Sequence, residues 1–154
     1  MSVAFRRESD EEHKEPRFEI PLPPGPNLVT ERGLALIQAR VRELEQQIEG
    51  EAEEAAREEA KRDLRYWKTR QATAQVAPRA SGNEVTIGTR VRIRLNDAER
   101  TIAIVGHDEA DPAAGSVSFA APLAKAMLGA AAGEQLPFAG QEDALEILGI
   151  EAIA

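Results

Sequence analysis

The chain has 154 residues, 27 of them acidic and 19 basic, which gives a formal net charge of −8 at pH 7. This length allows one ordinary domain, or one small domain with an extended element, and the acidic balance excludes nucleic-acid binding except at a local basic patch. The chain has no cysteine, which excludes disulfides and thiol chemistry.

The N-terminal segment, residues 1–29, is dense in charge and then in proline, and it contains no long apolar run. We therefore expect neither a secretion signal nor a membrane span, and we expect a cytoplasmic protein. Such a segment buries too little apolar surface to offset its ordering entropy, so we predict a flexible extension. The alternation of Phe18, Ile20 and Leu22 leaves a short strand or a docking strip as the alternative.

Residues 30–76 carry two apolar seams with the spacing of paired helices. The first seam is Leu34, Ile37, Val41, Leu44 and Ile48, and the second is Ala56, Ala60, Leu64, Trp67 and Gln71. Gly50 interrupts the pattern between them, and Thr30 is a suitable N-cap for the first helix, although Gly33 weakens its first turn. The pattern predicts an antiparallel coiled-coil hairpin, with Trp67 buried between this hairpin and the following domain.

Charge is divided along this hairpin. Between Glu43 and Glu59 there are eight acidic residues and one basic residue, whereas between Lys61 and Arg70 there are five basic residues and one acidic residue. Simple solubility would be served equally well by mixed charges. The distribution favours a rod that presents carboxylates at its tip while its root lies against something anionic.

Two groups of basic residues are candidates for contact with nucleic acid. The first group lies at the root of the hairpin near Tyr66 and Trp67, where charge and stacking would act together, and comprises Lys61, Arg62, Arg65 and Lys68. The second group alternates along a predicted strand and comprises Arg90, Arg92 and Arg94. For the strand arginines, an exposed face or pairing with nearby glutamates is as good an interpretation as contact with nucleic acid or an acidic protein.

The second half of the chain reads as a separate small domain. Residues 77–83 contain proline, serine and glycine and are predicted to be a linker. Residues 84–154 show the period of two that is typical of strands, with a turn at Asn96 and Asp97 and a short helix opened by Pro122. The predicted fold class is α+β, in which the helical hairpin is followed by an antiparallel sheet with one short helix.

Three segments of this domain carry a resemblance to a known family. They are Ile104-Val105-Gly106-His107-Asp108-Glu109-Ala110-Asp111-Pro112, Ala121-Pro122-Leu123-Ala124-Lys125-Ala126-Met127-Leu128-Gly129 and Leu145-Glu146-Ile147-Leu148-Gly149-Ile150. With Leu28-Val29-Thr30 and Gly33 ahead of the coiled coil, the chain resembles the Gre transcript-cleavage factors (GreA and GreB) of bacterial RNA polymerase. The resemblance implies a monomeric accessory factor, not an enzyme, whose FKBP-like C-terminal domain docks on the polymerase rim and whose coiled coil enters the secondary channel.

The resemblance also implies roles for particular residues. Residues expected to contact the polymerase are Asp108, Glu109, Asp111, Pro122 and Leu123. The family's tip sequence, Gly-Asp-Leu-Lys-Glu-Asn-Ala, aligns Glu51 and Glu54 with two carboxylates that help to hold a catalytic Mg²⁺ of the polymerase. A spacing of three residues would place both on one helix face, close enough to share a cation, and no cofactor would be bound stably outside the complex. Acidic residues in the first turn of a helix also offset its dipole without any metal.

Two departures from the family pattern leave alternatives open. Both arms are shorter by roughly seven or eight residues, which withdraws the tip by about 10–12 Å, and Ala120 and Ala121 replace polar residues before Pro122. One alternative is therefore a channel-binding regulator or inhibitor without cleavage stimulation, as in the regulator of nucleoside diphosphate kinase or the anti-Gre relatives. A third is a prolyl isomerase, for which the domain offers only Phe119 and Phe138 as pocket aromatics.

Overall fold

The computed structural model describes residues 19–153, and two long antiparallel helices dominate their N-terminal part. Helix α1 is Glu31–Gly50 and helix α2 is Glu54–Thr73. Each has 20 residues, which corresponds to a length of about 30 Å. The predicted hairpin is therefore present, and its turn consists of residues 51–53.

The first predicted seam lies between the helices as expected. Ile37, Val41 and Leu44 are buried, and the Thr30 side chain accepts a hydrogen bond from the Gly33 N–H at 3.0 Å as the N-cap of α1. The confirmed cap satisfies one of the free N–H groups of the first turn.

The second seam departs from the prediction at the root of the hairpin. Ala60 is buried, but Gln71 is exposed and its neighbour Arg70 is buried in its place. Trp67 is only half-buried, with its ring edge-on to Tyr66 at a centroid distance of 5.2 Å. The seam shifts from Gln71 to Arg70 because the Arg70 guanidinium has internal hydrogen-bond partners there.

A short parallel strand pair joins the two ends of the hairpin. Strand β1, Leu28–Val29, pairs with strand β2, Gln75–Val76. Asn27 and Val29 are buried, and their backbone oxygens accept hydrogen bonds from the Gln75 and Ala77 N–H groups. The predicted flexible extension over residues 1–29 therefore does not include this stretch. Residues 1–18, including Phe18 of the predicted docking strip, lie outside the described residues.

The C-terminal domain is a five-stranded sheet with a short helix. Its strands are β3 (Thr89–Leu95), β4 (Ala98–Val105), β5 (Ser116–Ser118), β6 (Gln135–Phe138) and β7 (Gln141–Ala152), in the order β5-β4-β3-β7-β6, and its helix is α3 (Pro122–Met127). Strands β4 and β5 are parallel and the other pairs are antiparallel. The sheet is thus mixed and not wholly antiparallel. Between β4 and β5, two 3-10 turns, His107–Glu109 and Pro112–Ala114, bring the chain back beside Ala103, so that β5 runs in the same direction as β4.

The β3–β4 hairpin turn has the expected chemistry. Asn96 and Asp97 have φ angles of 51° and 67°, which suits the twist of a two-residue hairpin connection. The buried side chains of the sheet and helix form one core, whose members are Val85, Val91, Ile93, Ile102, Ile104, Ala124, Met127, Ala130, Leu145 and Ile147. The predicted α+β class is confirmed. None of the helices within residues 19–153 has the length and apolar character needed to cross a membrane.

Candidate functional site

The tip of the hairpin presents three glutamates, but only one of the two predicted metal ligands belongs to α2. Glu51 lies in the turn, as the C-cap of α1, and its Oε2 accepts a hydrogen bond from the Glu53 N–H at 2.9 Å. Glu53 is the N-cap of α2 and accepts from the Ala56 N–H at 2.9 Å. Glu54 is the exposed first residue of α2. The expectation that Glu51 and Glu54 share one helix face is therefore wrong, since Glu51 precedes the helix.

Arg57 fixes the turn from the side of α2. Its Nε and Nη2 donate to the backbone oxygen of Glu51 at 3.2 and 2.8 Å. One guanidinium thus closes the loop over six residues. Within residues 19–153 the second carboxylate oxygen of Glu51, Oε1, accepts no hydrogen bond. No group of three or more His, Cys, Asp or Glu side chains that could hold a metal ion occurs among residues 19–153. A cation shared with a partner's carboxylates stays a prediction.

The four basic residues predicted to contact nucleic acid, Lys61, Arg62, Arg65 and Lys68, each form an ion pair. Lys61 and Arg62 pair with glutamates one turn earlier, Glu58 and Glu59. Lys68 reaches Glu45 on α1 at 3.7 Å, and Arg65 binds the Glu19 carboxylate with two hydrogen bonds of 2.7 and 2.8 Å. The Arg65 hydrogen bond holds the pKa of Glu19 below its ordinary value, and the Glu19 hydrogen bond raises the pKa of Arg65. Their contact with nucleic acid stays a prediction. The paired glutamates already neutralise part of the positive charge of this surface.

A buried polar cluster at the root of the hairpin joins it to the C-terminal domain. Asp108, in the first 3-10 turn after β4, accepts from Arg70 Nε and from the Tyr66 hydroxyl, both at 2.6 Å. Arg70 Nη2 also donates to Asn27 Oδ1 at 2.8 Å, and the Asn27 amide donates to the Arg70 backbone oxygen at 2.9 Å. Only 5% of the Arg70 side chain and 6% of the Asp108 side chain are exposed. Burial, together with the hydrogen bond to Asp108, raises the pKa of Tyr66 well above its ordinary value.

The next residue, Glu109, holds the other helix. Its Oε1 accepts from the Thr30 hydroxyl at 2.5 Å, and its Oε2 accepts from Arg32 Nη1 at 2.8 Å. A Cβ placed on Gly33 would lie 2.8 Å from Glu109 Oε1. Gly33, which the sequence marks as a weak point of the helix, therefore leaves room for this carboxylate.

These contacts change the interpretation of the loop after β4. Asp108 and Glu109 are engaged inside the chain, so their side chains face the hairpin and not an open surface. Asp111 and Pro122 are exposed, while Leu123 is half-buried against the core. The predicted polymerase contact of these five residues stays a prediction, and only the last three have side chains free of the hairpin.

Sequence reasoning missed Asn27, Tyr66 and Arg70 as a cluster. Arg70 ends a run of basic residues and has no local signal that separates it from its exposed neighbours. The available hints were two irregularities in the helical pattern, an early Gly33 and a polar Gln71 at the end of an otherwise apolar seam. Both mark places where the hairpin meets another element.

The strand arginines pair mostly with neighbouring glutamates. Arg94 contacts Glu146 at 2.8 Å and Glu99 at 3.3 Å, and Arg90 contacts Glu151 at 3.4 Å. Glutamate pairing is thus the interpretation that the structure supports for Arg90 and Arg94. Arg92 lies above Gly149, where its Nη2 would be 3.3 Å from an added Cβ.

A cleft of about 700 Å³ opens between the start of α1, the linker and strand β4. Three arginines line it, and each is paired with a glutamate: Arg32 with Glu109, Arg79 with Glu31, and Arg90 with Glu151. Balanced charges of this kind give the cleft no selectivity for anions.

The comparisons with known proteins find similarity to transcription elongation factors of the GreA/GreB type. Residues 80–152 match the family described as "Transcription elongation factor, GreA/GreB, C-term". Among similar proteins, the transcription elongation factor GreA of Roseiflexus sp. (strain RS-1) is 38% identical over 86 residues, covering 52% of this chain and 55% of the relative. The transcription elongation factor GreA of Desulfovibrio desulfuricans is 37% identical over 90 residues, covering 54% of this chain and 56% of the relative. The chain thus matches about half the length of these relatives.

A solved structure, the GreA factor homolog 1 (Gfh1) protein of Thermus thermophilus, aligns with 83% of this chain and 100% of its own, at 16% identity and a TM-score of 0.38. A likeness at this level supports no inference about function.

Proposed function

Because residues 80–152 belong to the GreA/GreB C-terminal domain family, which makes this a GreA/GreB-like chain, we propose that it is a transcription elongation factor whose partner is RNA polymerase. The observation that carries the proposal is the combination of this domain with a helical hairpin about 30 Å long and an acidic tip. In this proposal the protein is an accessory factor, and the polymerase remains the enzyme.

The two parts of the molecule would have separate tasks. The C-terminal domain would dock on the rim of the polymerase through the surface that includes Asp111, Pro122 and Leu123. The hairpin would then enter the secondary channel with its tip first, and its root would stay near the nucleic acid. Support for this division comes from the exposed position of Pro122 at the start of α3 and from the concentration of carboxylates in the turn.

In the cleavage-stimulating form, Glu51 and Glu54 would complete the ligand set of a Mg²⁺ ion held mainly by the polymerase. A second metal in such a site can activate water for attack on a phosphodiester of backtracked RNA. Hard oxygen ligands suit Mg²⁺, and Glu51 Oε1 and the exposed Glu54 carboxylate supply them. The role of the turn, with Arg57 holding the Glu51 backbone, would be to limit the motion of the first carboxylate.

The test is an RNA cleavage assay with stalled elongation complexes and Mg²⁺. We expect added cleavage with the protein and its loss in the double variant Glu51→Ala/Glu54→Ala. The control variant Glu84→Ala/Glu142→Ala removes the same charge from exposed positions of the C-terminal domain and should cleave like the original protein. Absence of stimulation, or equal stimulation by the tip variant, would contradict the cleavage form.

A second candidate is a channel-binding regulator that does not stimulate cleavage. It is favoured by the arms of 20 residues and by the engagement of Glu51 Oε2 with the Glu53 N–H. Binding to core polymerase without cleavage, together with competition against a cleavage-active GreA, would support this form. Failure to bind core polymerase even at low salt would contradict both forms.

A further inference from the structure

At the root of the hairpin, two adjacent carboxylates hold two different helices. Asp108 accepts from Arg70 and Tyr66 of α2, and Glu109 accepts from Thr30 and Arg32 at the start of α1. A single contact would leave the hairpin free to turn about it. Two contacts on separate helices restrict that rotation.

Four side-chain hydrogen bonds to carboxylates contribute to this joint. Hydrogen bonds to a carboxylate are short and restricted in angle, whereas apolar contacts can slide past one another. The buried pair of Arg70 and Asp108 is also extended by Asn27, which bonds both the side chain and the backbone of Arg70. Burying a charge pair is costly, and one attested reason for retaining such a pair is that it specifies one arrangement.

The length of the hairpin makes the orientation at its root decisive for its tip. A rotation of about 10° at the root moves the end of a 30 Å rod by about 5 Å. That displacement exceeds a Mg²⁺–oxygen distance of about 2.1 Å. A tip that must meet a metal or a channel wall therefore depends on the angle set at Asp108 and Glu109.

We propose that Asp108 is a positioning residue: through its bonds to Arg70 and Tyr66 it fixes the direction of the hairpin relative to the sheet, and so decides where the tip carboxylates lie. The functional part of this inference rests on the proposed elongation-factor role. The geometric part is independent of any partner and is tested on the free protein.

The geometric test measures a distance across the joint. Because the chain has no cysteine, Ala52→Cys in the turn and Glu142→Cys in the sheet domain, both exposed, give two specific spin-label sites in the full chain. Pulsed electron paramagnetic resonance should show one narrow distance distribution for the original joint. With Asp108→Asn, which keeps the shape but faces Arg70 with an uncharged amide, we expect a broadened or displaced distribution.

Two further variants keep the test decisive. Tyr66→Phe removes one hydroxyl and should give a smaller broadening if Asp108→Asn fails to fold. Glu151→Gln weakens the exposed pair with Arg90 on the sheet and should leave the distance unchanged. A distribution that is unaltered in folded Asp108→Asn, or in Tyr66→Phe where only that variant folds, would overturn the proposal.

The functional test separates binding from tip action. In unlabelled protein with Asp108→Asn, affinity for core polymerase should change little, because the Asp108 side chain is buried against the hairpin and the exposed docking residues Asp111 and Pro122 are unchanged. At saturating factor, the tip-dependent effect, cleavage or inhibition, should fall about tenfold or more, since misplacement of about 1 Å can cost that much. If no variant binds polymerase, the proposed function fails. The distances between the spin labels still test whether Asp108 fixes the direction of the hairpin. An unchanged tip effect with a displaced distribution would overturn the functional part of the proposal, because the direction of the hairpin would then not govern the action of the tip.

Discussion

Tyr66 is the single tyrosine of the chain, and it belongs to the polar cluster at the root of the hairpin. Its hydroxyl donates to Asp108, which Arg70 holds from the other side, and the Arg70 guanidinium lies 6.0 Å from the centre of the tyrosine ring. By comparison, the carboxylates at the tip have only backbone N–H partners or lie open to water. At the scale of residues, the structural constraint is therefore concentrated at the root, whereas the proposed chemistry is at the tip.

The first prediction concerns the ionisation of Tyr66. Burial first, and then the bond to Asp108, raises the pKa of Tyr66 in the folded protein. The contribution to stability is thus fully present below the unfolded pKa of about 10 and is lost as pH rises through the folded value. Ultraviolet absorbance should show no tyrosinate near pH 10 in folded protein.

The same titration separates the effect of Asp108 on the pKa of Tyr66 from the effect of burial. Asp108→Asn should move the tyrosinate midpoint downward, because the acceptor loses its charge. A midpoint near 10 in the unmodified protein would contradict the hydrogen bond, and the chain unfolded in urea provides the reference curve.

At the scale of elements, strand β1 is seated directly on the loop that follows β4. Gly106 leaves the space for it: an added Cβ would lie 2.6 Å from the Leu28 backbone oxygen and 3.3 Å from the Val29 Cα. Hydrogen bonds hold that backbone, from the Gln75 N–H to the Asn27 oxygen and from the Ala77 N–H to the Val29 oxygen, both at 2.9 Å. The strand pair therefore has little freedom to move away.

The second prediction follows from this close approach. Gly106→Ala should lower the free energy of unfolding by about 1–3 kcal/mol, the usual cost of forcing extra atoms into a packed site. Gly50→Ala is the matched control, because no atom lies within 4 Å of the Cβ added at the end of α1. That variant should be neutral or stabilise by up to about 1 kcal/mol. Urea unfolding measures both, and equal stability of the two variants would argue against the contact.

At the scale of the whole molecule, the hairpin and the sheet have separate interiors. The seam between α1 and α2 and the core of the C-terminal domain share none of the buried core residues. They are connected by the packing of strand β1 on the loop after β4 and by the hydrogen bonds of Asp108 and Glu109 to the two helices. Cooperative unfolding of the described structure should therefore depend on a small number of polar contacts.

The third prediction tests that dependence. Arg70→Met leaves the Asp108 carboxylate buried without its cation, which costs about 3–5 kcal/mol and, at about 2–4 °C per kcal/mol, lowers Tm by about 6–20 °C. Calorimetry should then show two transitions in place of one. The double variant Arg70→Met/Asp108→Leu removes both charges and should recover part of the lost stability and the single transition. Two equal transitions in the original protein would show that the joint does not couple the halves.

The sequence alone determined the features that depend on local pattern. Apolar spacing predicted two helices, the Asn96-Asp97 pair predicted the β3–β4 turn, and period-two alternation predicted most of the strands, because each depends on neighbours close in the chain. The order of residue types also placed carboxylates at one end of the hairpin. These inferences needed no knowledge of how the elements pack.

Only the tertiary structure decided which polar residues are buried. Arg70 resembles the exposed Arg65 in sequence, yet it is buried because Asn27, 43 positions earlier, and Asp108, 38 positions later, meet it at the root. Likewise, Asp108 and Glu109 face the hairpin because the loop after β4 folds against β1. A charge is buried only where a partner satisfies it, and partners distant in the chain are brought together by the fold and not by local pattern.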